Sequence, residues 1–109
     1  MEISYASEQV KKLCEEPKRA VKALGADSAR KLRTRLAELD AAASVLELPA
    51  GHPHPLKRDR AGQFAVSLAG GCRLIFEPAN DPVPKRADAS IDWALVTKVR
   101  ILEAADYHD

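Results

Sequence analysis

Two histidine-containing segments of the 109-residue chain carry residue types suited to moving protons. His54 opens the segment HPLK, which ends at Lys57, and the sequence Asp106, Tyr107, His108 stands near the other end. An imidazole titrates near neutral pH, so it can accept or release a proton during a reaction. The lysine adds a fixed positive charge, which suits a phosphate ligand.

Cleavage of RNA by its own 2′-hydroxyl requires groups of these types. A base removes the hydroxyl proton, cations stabilise the negative transition state at phosphorus, and an acid protonates the departing 5′-oxygen. Arg73, on a predicted strand between the two histidine segments, can bind two phosphate oxygens at once. This route needs no metal, and it spares DNA because DNA has no 2′-hydroxyl. Which histidine is the acid stays open.

Each segment, taken alone, also fits a plain structural role. His52 and His54 can be exposed loop histidines, and the DYH ending can be a frayed terminus. The proline after each loop histidine predicts extended backbone, which would present both imidazoles from a stiff loop. A metal site formed by these residues and His108 is a weaker alternative, since no HExxH motif, cysteine pair or acidic cluster accompanies them. We therefore predict neither a metal nor a cofactor.

Positive charge is concentrated in two stretches, although the formal net charge is only +1. One is 17–36, where seven basic residues stand against a single acid, and the other is 54–76. Such a distribution predicts a basic surface that attracts phosphates, the alternative being ordinary solvated charge. The predicted RNA- or phosphate-binding side chains are Lys31, Arg35, Arg58, Arg60, Lys98 and Arg100.

Hydrophobic periodicity predicts one α+β domain over 1–109, with N-terminal helices packed on one face of a small antiparallel sheet. The longest helix should begin at a cap formed by Asp27 or Ser28 and run to about Ala43. Leucines at helical spacing form its inner face. The outer faces should carry Arg30, Lys31, Arg33, Arg35 and Glu38.

Three strands are predicted after this helix, over 63–68, 72–77 and 96–103. The first two alternate apolar and polar residues around a glycine turn, which places Arg73 on the face opposite the core. The last strand should point Lys98 and Arg100 outward as well. Segment 49–62 reads as a loop, and 78–92, rich in proline and charge, as an exposed insertion.

The composition favours a cytoplasmic protein. No apolar stretch approaches the roughly 20 residues of a membrane span. The first residues lack the basic and apolar regions of a signal peptide. In a reducing compartment, Cys14 and Cys72 are expected to be packed thiols rather than a disulfide or a nucleophile.

Four short segments, taken in order, resemble the HigB branch of the RelE/ParE toxin superfamily. They are KLRTRL from Lys31, HPLKRDR from His54, GCRLIFE from Gly71 and DYH from Asp106. The resemblance implies a compact RelE-like fold and a type II toxin that cleaves translated mRNA in the ribosomal A site. It carries the family's catalytic positions onto His54, Lys57, Arg73, Asp106, Tyr107 and His108.

The resemblance also implies a role for each position. His108 and His54 would be the acid and base, and Arg73 would stabilise transition-state charge. Lys57 would anchor phosphate. Asp106 and Tyr107 would orient or supplement the histidine.

The partners implied are the ribosome with its rRNA, and a helix-turn-helix, HigA-like antitoxin. Promoter DNA would be bound only by the toxin–antitoxin complex, and no membrane is involved. Three features depart from the family pattern: Arg58 replaces a usual glycine, Phe64 replaces a common tryptophan, and 78–92 is longer than in compact members. Two alternatives use the same fold: a ParE-like gyrase inhibitor, which needs no terminal acid or base, and a non-catalytic co-repressor of its operon.

Overall fold

The computed structural model describes residues 1–106, which form helices on one side of a five-stranded sheet. The helices are α1 (Glu8–Glu15), α2 (Pro17–Leu24) and α3 (Ala26–Ala41). The strands are β1 (Glu2–Tyr5), β2 (His54–Pro55), β3 (Phe64–Ser67), β4 (Cys72–Pro78) and β5 (Lys98–Asp106). Three short 3-10 helices lie at Val45–Glu47, Arg58–Arg60 and Trp93–Leu95. Tyr107 and His108 of the predicted site lie outside the described residues.

The strands lie in the order β1-β5-β4-β3-β2. β1 runs parallel to β5, and the other three pairs are antiparallel. This arrangement confirms the predicted α+β class. β1 makes the sheet mixed, because it pairs parallel with β5. Two parallel strands require a long connection, and the three α-helices lie within it.

The main core lies between the helices and one face of the sheet. Alternate residues of β3, β4 and β5 point into it, as a period of two requires. Its largest fully buried side chains are Phe64, Phe76, Leu32, Leu39, Leu74, Ile101, Val45, Val66, Val96 and Val99. Burying a side chain of this size contributes about 1.5–3 kcal/mol.

The opposite face of the sheet, called here the open face, lies away from the three α-helices, which pack against the main core. A small apolar cluster lies on it, formed by Leu56, Ala65 and Ile75 with Leu102 packed against them. This cluster makes the centre of the open face apolar.

The start of α3 differs from the prediction. Gly25, with φ +86°, is the N-cap residue, and no side chain caps the helix. Ser28 is instead buried and donates its hydroxyl proton to the carbonyl of Ala69, 3.3 Å away. Asp27 lies in the first turn, where a negative charge favours the helix dipole. The helix ends at Ala41, two residues before the predicted end.

The strand pairing contains a register shift between Ile75 and Phe76 of β4. Opposite it, Ile101 pairs with Phe76 and Glu103 pairs with Ile75, so Leu102 is left without a direct partner. Such a bulge reverses the alternation of faces along the rest of a strand. β5 also continues to Asp106, beyond the predicted end.

The segment predicted as an exposed insertion over 78–92 begins one residue later, because Pro78 is buried in β4 opposite Val99. Its tip is exposed and folds back through a bridge between Lys85 and Ile91. Trp93, which follows it, packs on Phe64 with ring centroids 4.7 Å apart. The tryptophan is therefore a packing residue.

Both cysteines are free thiols packed within the protein, as predicted. Cys72 is buried, and Cys14 packs against the main core. Burial raises the pKa of the Cys14 thiol to about 11, and the neighbouring Glu15 carboxylate adds to the shift. No helix in the described part of the chain is long and apolar enough to cross a membrane.

The raised pKa of Cys14 predicts a slow reaction with alkylating agents. Only the thiolate reacts, and at pH 8 the folded protein holds far less of it than an unfolded chain does. In a Cys72→Ala variant, iodoacetamide should label Cys14 roughly 100-fold more slowly in buffer than in urea. The folded-state rate should rise steeply towards pH 11. Equal rates in buffer and urea at pH 8 would show that the thiol is not shielded.

Candidate active site on the open face

His54 lies on the edge strand β2, where it pairs with Ala65 of β3. Ala65 pairs with Ile75, and Ile75 pairs with Glu103, so the four residues form one row across the sheet. Directly paired residues share a face, and Ala65 and Ile75 lie in the cluster of the open face. His54 therefore belongs to the open face, where it is partly exposed.

The ring of His54 is fixed by its own loop. Its Nδ1 lies 2.8 Å from the carbonyl oxygen of His52, and the two rings are 4.9 Å apart at 43°. A carbonyl oxygen only accepts hydrogen bonds, so Nδ1 is the donor and carries the proton. In the neutral ring, Nε2 is then the unprotonated nitrogen. This tautomer makes Nε2 a base.

The backbone of this loop is less extended than predicted. His54 is extended as predicted, but it forms the short strand β2 within segment 49–62, which was predicted to be a loop and also contains the 3-10 helix Arg58–Arg60. His52 has φ +48° despite the proline after it. Gly51 before it has φ +87°. This left-handed pair turns the chain so that the His52 carbonyl faces the ring two residues on.

Lys57 and Arg58 follow directly after the buried Leu56, and both side chains are exposed. The predicted phosphate-binding residue Arg58 has φ +56°, a conformation that favours glycine. Within residues 1–106, neither side chain takes part in a salt bridge. Two cations therefore lie three and four positions after His54 with their charge available to a ligand.

Arg73 lies on the open face, as predicted, opposite Ser67 of β3 and Ala105 of β5. Its Nη1 donates to the carbonyls of Cys72 at 3.2 Å and Gly70 at 3.4 Å. These bonds hold the guanidinium at the hairpin end without neutralising it. No carboxylate of the described residues forms a salt bridge with it.

Three of the predicted phosphate-binding cations are paired with acids instead. Arg60 binds Glu103 at 2.8 Å, Arg100 binds Glu77 at 2.6 Å, and Lys98 lies 3.4 Å from Glu2. These pairs are partly exposed and contribute about 0–1 kcal/mol each. Their larger effect is electrostatic, because each carboxylate lowers the positive potential that its paired cation presents to a phosphate.

Sequence reasoning missed the acids Glu77 and Glu103. The strand register contains the signal that identifies Glu77, since Arg100 stands directly opposite it on the neighbouring strand. Cross-strand pairs of opposite charge are a common stabilising feature of sheets. Glu103 binds Arg60 of the 3-10 helix Arg58–Arg60, and no local sequence pattern predicts this contact.

The prediction that Arg35 lies on an outer face of α3 is wrong. Its side chain is only 10% exposed and faces inward from α3. Nε donates to the carbonyl of Ser67 at 2.9 Å, and Nη1 binds Glu38 at 3.0 Å. Lys31, by contrast, is exposed on α3, which packs on the side of the sheet away from His54.

Asp106 pairs with Cys72, and its charge acts on that thiol. Cys72 belongs to the main core, so Asp106 lies on the helical side of the sheet, opposite Arg73. The structure thus brings His54 and Arg73 to one face, with the exposed Lys57 three residues after His54, but does not place Asp106 beside them. Within residues 1–106, no three His, Cys, Asp or Glu side chains are arranged to hold a metal ion.

Three solved structures share this fold. A YoeB–YefM complex from Staphylococcus aureus matches with a TM-score of 0.59 and 18% identity, covering 100% of this chain and 98% of that one. A YoeB dimer from the same organism gives 0.58 and 17%, again covering 100% and 98%. A YoeB/ParE toxin from Agrobacterium tumefaciens gives 0.57 and 13%, covering 99% and 100%.

At these identities, the likeness establishes the fold. No protein-family model matches the chain, and no curated protein matches it by sequence. The chain therefore has the fold of YoeB and YoeB/ParE toxins. Its function must be argued from its own residues.

The left-handed backbone at Arg58 predicts that glycine is the more stable residue there. An L-residue in this region costs roughly 1–2 kcal/mol, and the greater freedom of an unfolded glycine offsets about half of that. Urea unfolding should show Arg58→Gly to be more stable by about 0.5–1 kcal/mol. Arg58→Ala removes the same side chain but keeps the strain, so its stability should not rise. Equal stability of both variants would contradict the strain.

Proposed function

We propose that this chain is a toxin of a type II toxin–antitoxin system and acts as an endoribonuclease on mRNA in the ribosome. The observation that carries the proposal is the state of His54. Its Nδ1 is bound to a carbonyl, which leaves Nε2 basic on the face that also holds Arg73, and the exposed Lys57 follows three residues later. The shared fold with YoeB toxins and the HigB-like segments support the same conclusion.

In the proposed reaction, Nε2 of His54 takes the proton from the 2′-hydroxyl, and the oxygen attacks the adjacent phosphorus. The oxygen–phosphorus bond to the next nucleotide breaks, leaving a 2′,3′-cyclic phosphate. A base on a fixed ring contributes about 100- to 10,000-fold to such a step. No metal or cofactor takes part.

Arg73 would stabilise the extra negative charge on the phosphorane. Its Nη1 is held by two carbonyls, so Nε and Nη2 are the donors that remain for phosphate oxygens. Lys57 and Arg58 would anchor flanking phosphates, because both are exposed and outside any described salt bridge. Arg60, Lys98 and Arg100 would contribute less, since acids already bind them.

His108 would supply the proton to the leaving 5′-oxygen, with Asp106 and Tyr107 orienting or supplementing it. This assignment rests on the resemblance of the DYH segment. His108 and His54 can exchange the two roles without changing the overall chemistry.

The proposed partners follow from the same resemblance. They are ribosomal RNA around the A site and a helix-turn-helix, HigA-like antitoxin, with promoter DNA bound only by their complex. One of the matching solved structures is itself a YoeB–YefM complex, which supports an antitoxin partner. The protein would act in the cytoplasm, where translated mRNA lies.

A second candidate is inhibition of DNA gyrase, since one matching structure is a YoeB/ParE toxin. A gyrase inhibitor needs a docking surface but no oriented base, and the tautomer of His54 favours the nuclease. A non-catalytic co-repressor would likewise need no such base. Primer extension on mRNA after induction, beside a gyrase supercoiling assay, separates the three.

Two substitutions should slow the cleavage of ribosome-bound mRNA. His54→Ala should lower the rate about 100- to 10,000-fold, and Arg73→Ala about 100- to 1,000-fold. Arg19→Ala is the matched control: this exposed arginine lies on α2, on the helical side, and should leave the rate unchanged. Thermal unfolding checks that each variant is folded.

Full growth inhibition by a folded His54→Ala variant would overturn the assignment of the base. Wild-type protein that blocks gyrase supercoiling and leaves mRNA intact would overturn the nuclease altogether. Tight antitoxin binding with neither activity would favour the co-repressor.

A further inference from the structure

We infer that Arg35 and Gly51 form a buried latch that positions His54 for catalysis. Arg35 lies on α3 on the helical side of the sheet, and Gly51 lies in the loop that leads to His54. Neither touches the proposed substrate, so both would act as positioning residues. The inference rests on the proposed nuclease, but its structural half is testable without RNA.

The Arg35 guanidinium is held from two sides. Nε donates to the carbonyl of Ser67 at 2.9 Å, and Nη1 pairs with Glu38 at 3.0 Å. The two side chains are 10% and 21% exposed. Removing water from a guanidinium is costly unless it is paired and hydrogen-bonded, and here both conditions are met. An arginine at this depth is therefore tied to one geometry.

Gly51 packs directly on this guanidinium. A Cβ at position 51 would lie 2.5 Å from Nε and 3.0 Å from Cζ of Arg35, so an alanine there would force the guanidinium to shift. Its φ of +87° also strains every residue but glycine. Two independent constraints thus favour glycine where the loop crosses the arginine.

Ser67 joins the latch to the sheet through its backbone. Its carbonyl accepts from Arg35, and its N–H donates to the carbonyl of Gly51 at 2.7 Å. Ser67 also pairs with Arg73 across β3 and β4. One residue therefore ties the loop, the helix and the strand of the phosphate-binding arginine together.

From Gly51 the chain reaches His54 in three residues. His52 turns at φ +48°, and its carbonyl accepts the bond from Nδ1 of His54. A displaced Gly51 would move this carbonyl, and the ring would lose the partner that selects its tautomer. The latch thus controls which nitrogen of His54 is the base.

The matched pair of arginines on α3 provides the experiment. Arg35→Met removes the latch, while Arg30→Met removes an arginine that also pairs with an acid three residues away, but on the surface. The Arg30 and Asp27 side chains are 69% and 77% exposed. The two variants lose the same charge from the same helix.

The first measurement is the nitrogen-15 spectrum of the histidine rings at pH 8, with the His54 signals assigned from a His54→Ala variant. Wild type and Arg30→Met should show His54 protonated at Nδ1. Arg35→Met should shift His54 towards a mixture with the Nε2-protonated form. A merely structural arginine would leave this pattern unchanged in any folded variant.

The second measurement is cleavage of programmed ribosomes. Arg35→Met should lower kcat on the order of 100-fold, the effect of misplacing a catalytic group by about 1 Å. KM should stay near the wild-type value, because Lys57 and Arg73 keep their charge. Arg35→Lys, which keeps one donor to Ser67, should recover part of kcat.

Gly51→Ala changes the latch on the loop side, and it tests the inference even if the Arg35 variants fail to fold. It should reproduce both the tautomer shift and the fall in kcat while every arginine remains. Folded variants at positions 35 and 51 with the wild-type tautomer would overturn the latch, whatever their activity. Wild-type protein that cleaves no RNA but shows the tautomer shift on substitution would refute the nuclease and leave the latch standing.

Discussion

The structure depends on the antiparallel pairing of β3 with β4. Four cross-strand pairs join them, from Phe64 opposite Phe76 to Ser67 opposite Arg73. Because side chains alternate, two of these pairs fill the main core and two face the opposite side. The same register therefore buries the phenylalanines against the helices and presents Arg73 beside the row of His54. A slip of one residue would exchange the two sets.

The candidate site is defined as much by the acids as by the cations. Glu2, Glu77 and Glu103 each hold a basic side chain, and Glu38 holds another beneath the loop. Lys57, Arg58 and Arg73 are outside the described salt bridges. Arg73 shares the open face with His54, whose tautomer is selected by a hydrogen bond, and Lys57 and Arg58 follow His54 closely in the chain. Fewer cations are therefore available to bind phosphate than the basic stretches of the sequence predict.

Hydrophobic periodicity predicts correctly the elements in which side chains alternate or repeat regularly. The alternation of β4 predicts the correct face for Arg73. Helical spacing also predicts the inner leucines of α3 correctly, but Arg35, predicted on an outer face, lies on the inner one. Its spacing from Leu32 and Leu39 is that of the inner face, and the structure follows the spacing. Burial of a charge depends on Glu38 and Ser67, and only the folded chain shows how they meet it.

Asp106 lies on a face of the sheet that the alternation of β5 does not predict. Regular alternation from Val99 and Ile101 would place Asp106 on the same face as Arg73. The register shift beside Leu102 reverses that alternation, so Asp106 faces the helices. A bulge of this kind leaves no signal in the sequence of one strand, because it depends on the pairing of two.

The central claim is that this face cleaves RNA through the 2′-hydroxyl. The most direct measurement uses an mRNA with a single 2′-deoxy nucleotide immediately 5′ of the mapped cleavage site, bound in programmed ribosomes. The all-ribose message should be cut to a 2′,3′-cyclic phosphate, and the substituted message should stay intact at that bond. Cleavage of the substituted message at the same bond would contradict attack by the 2′-hydroxyl, since none is present there.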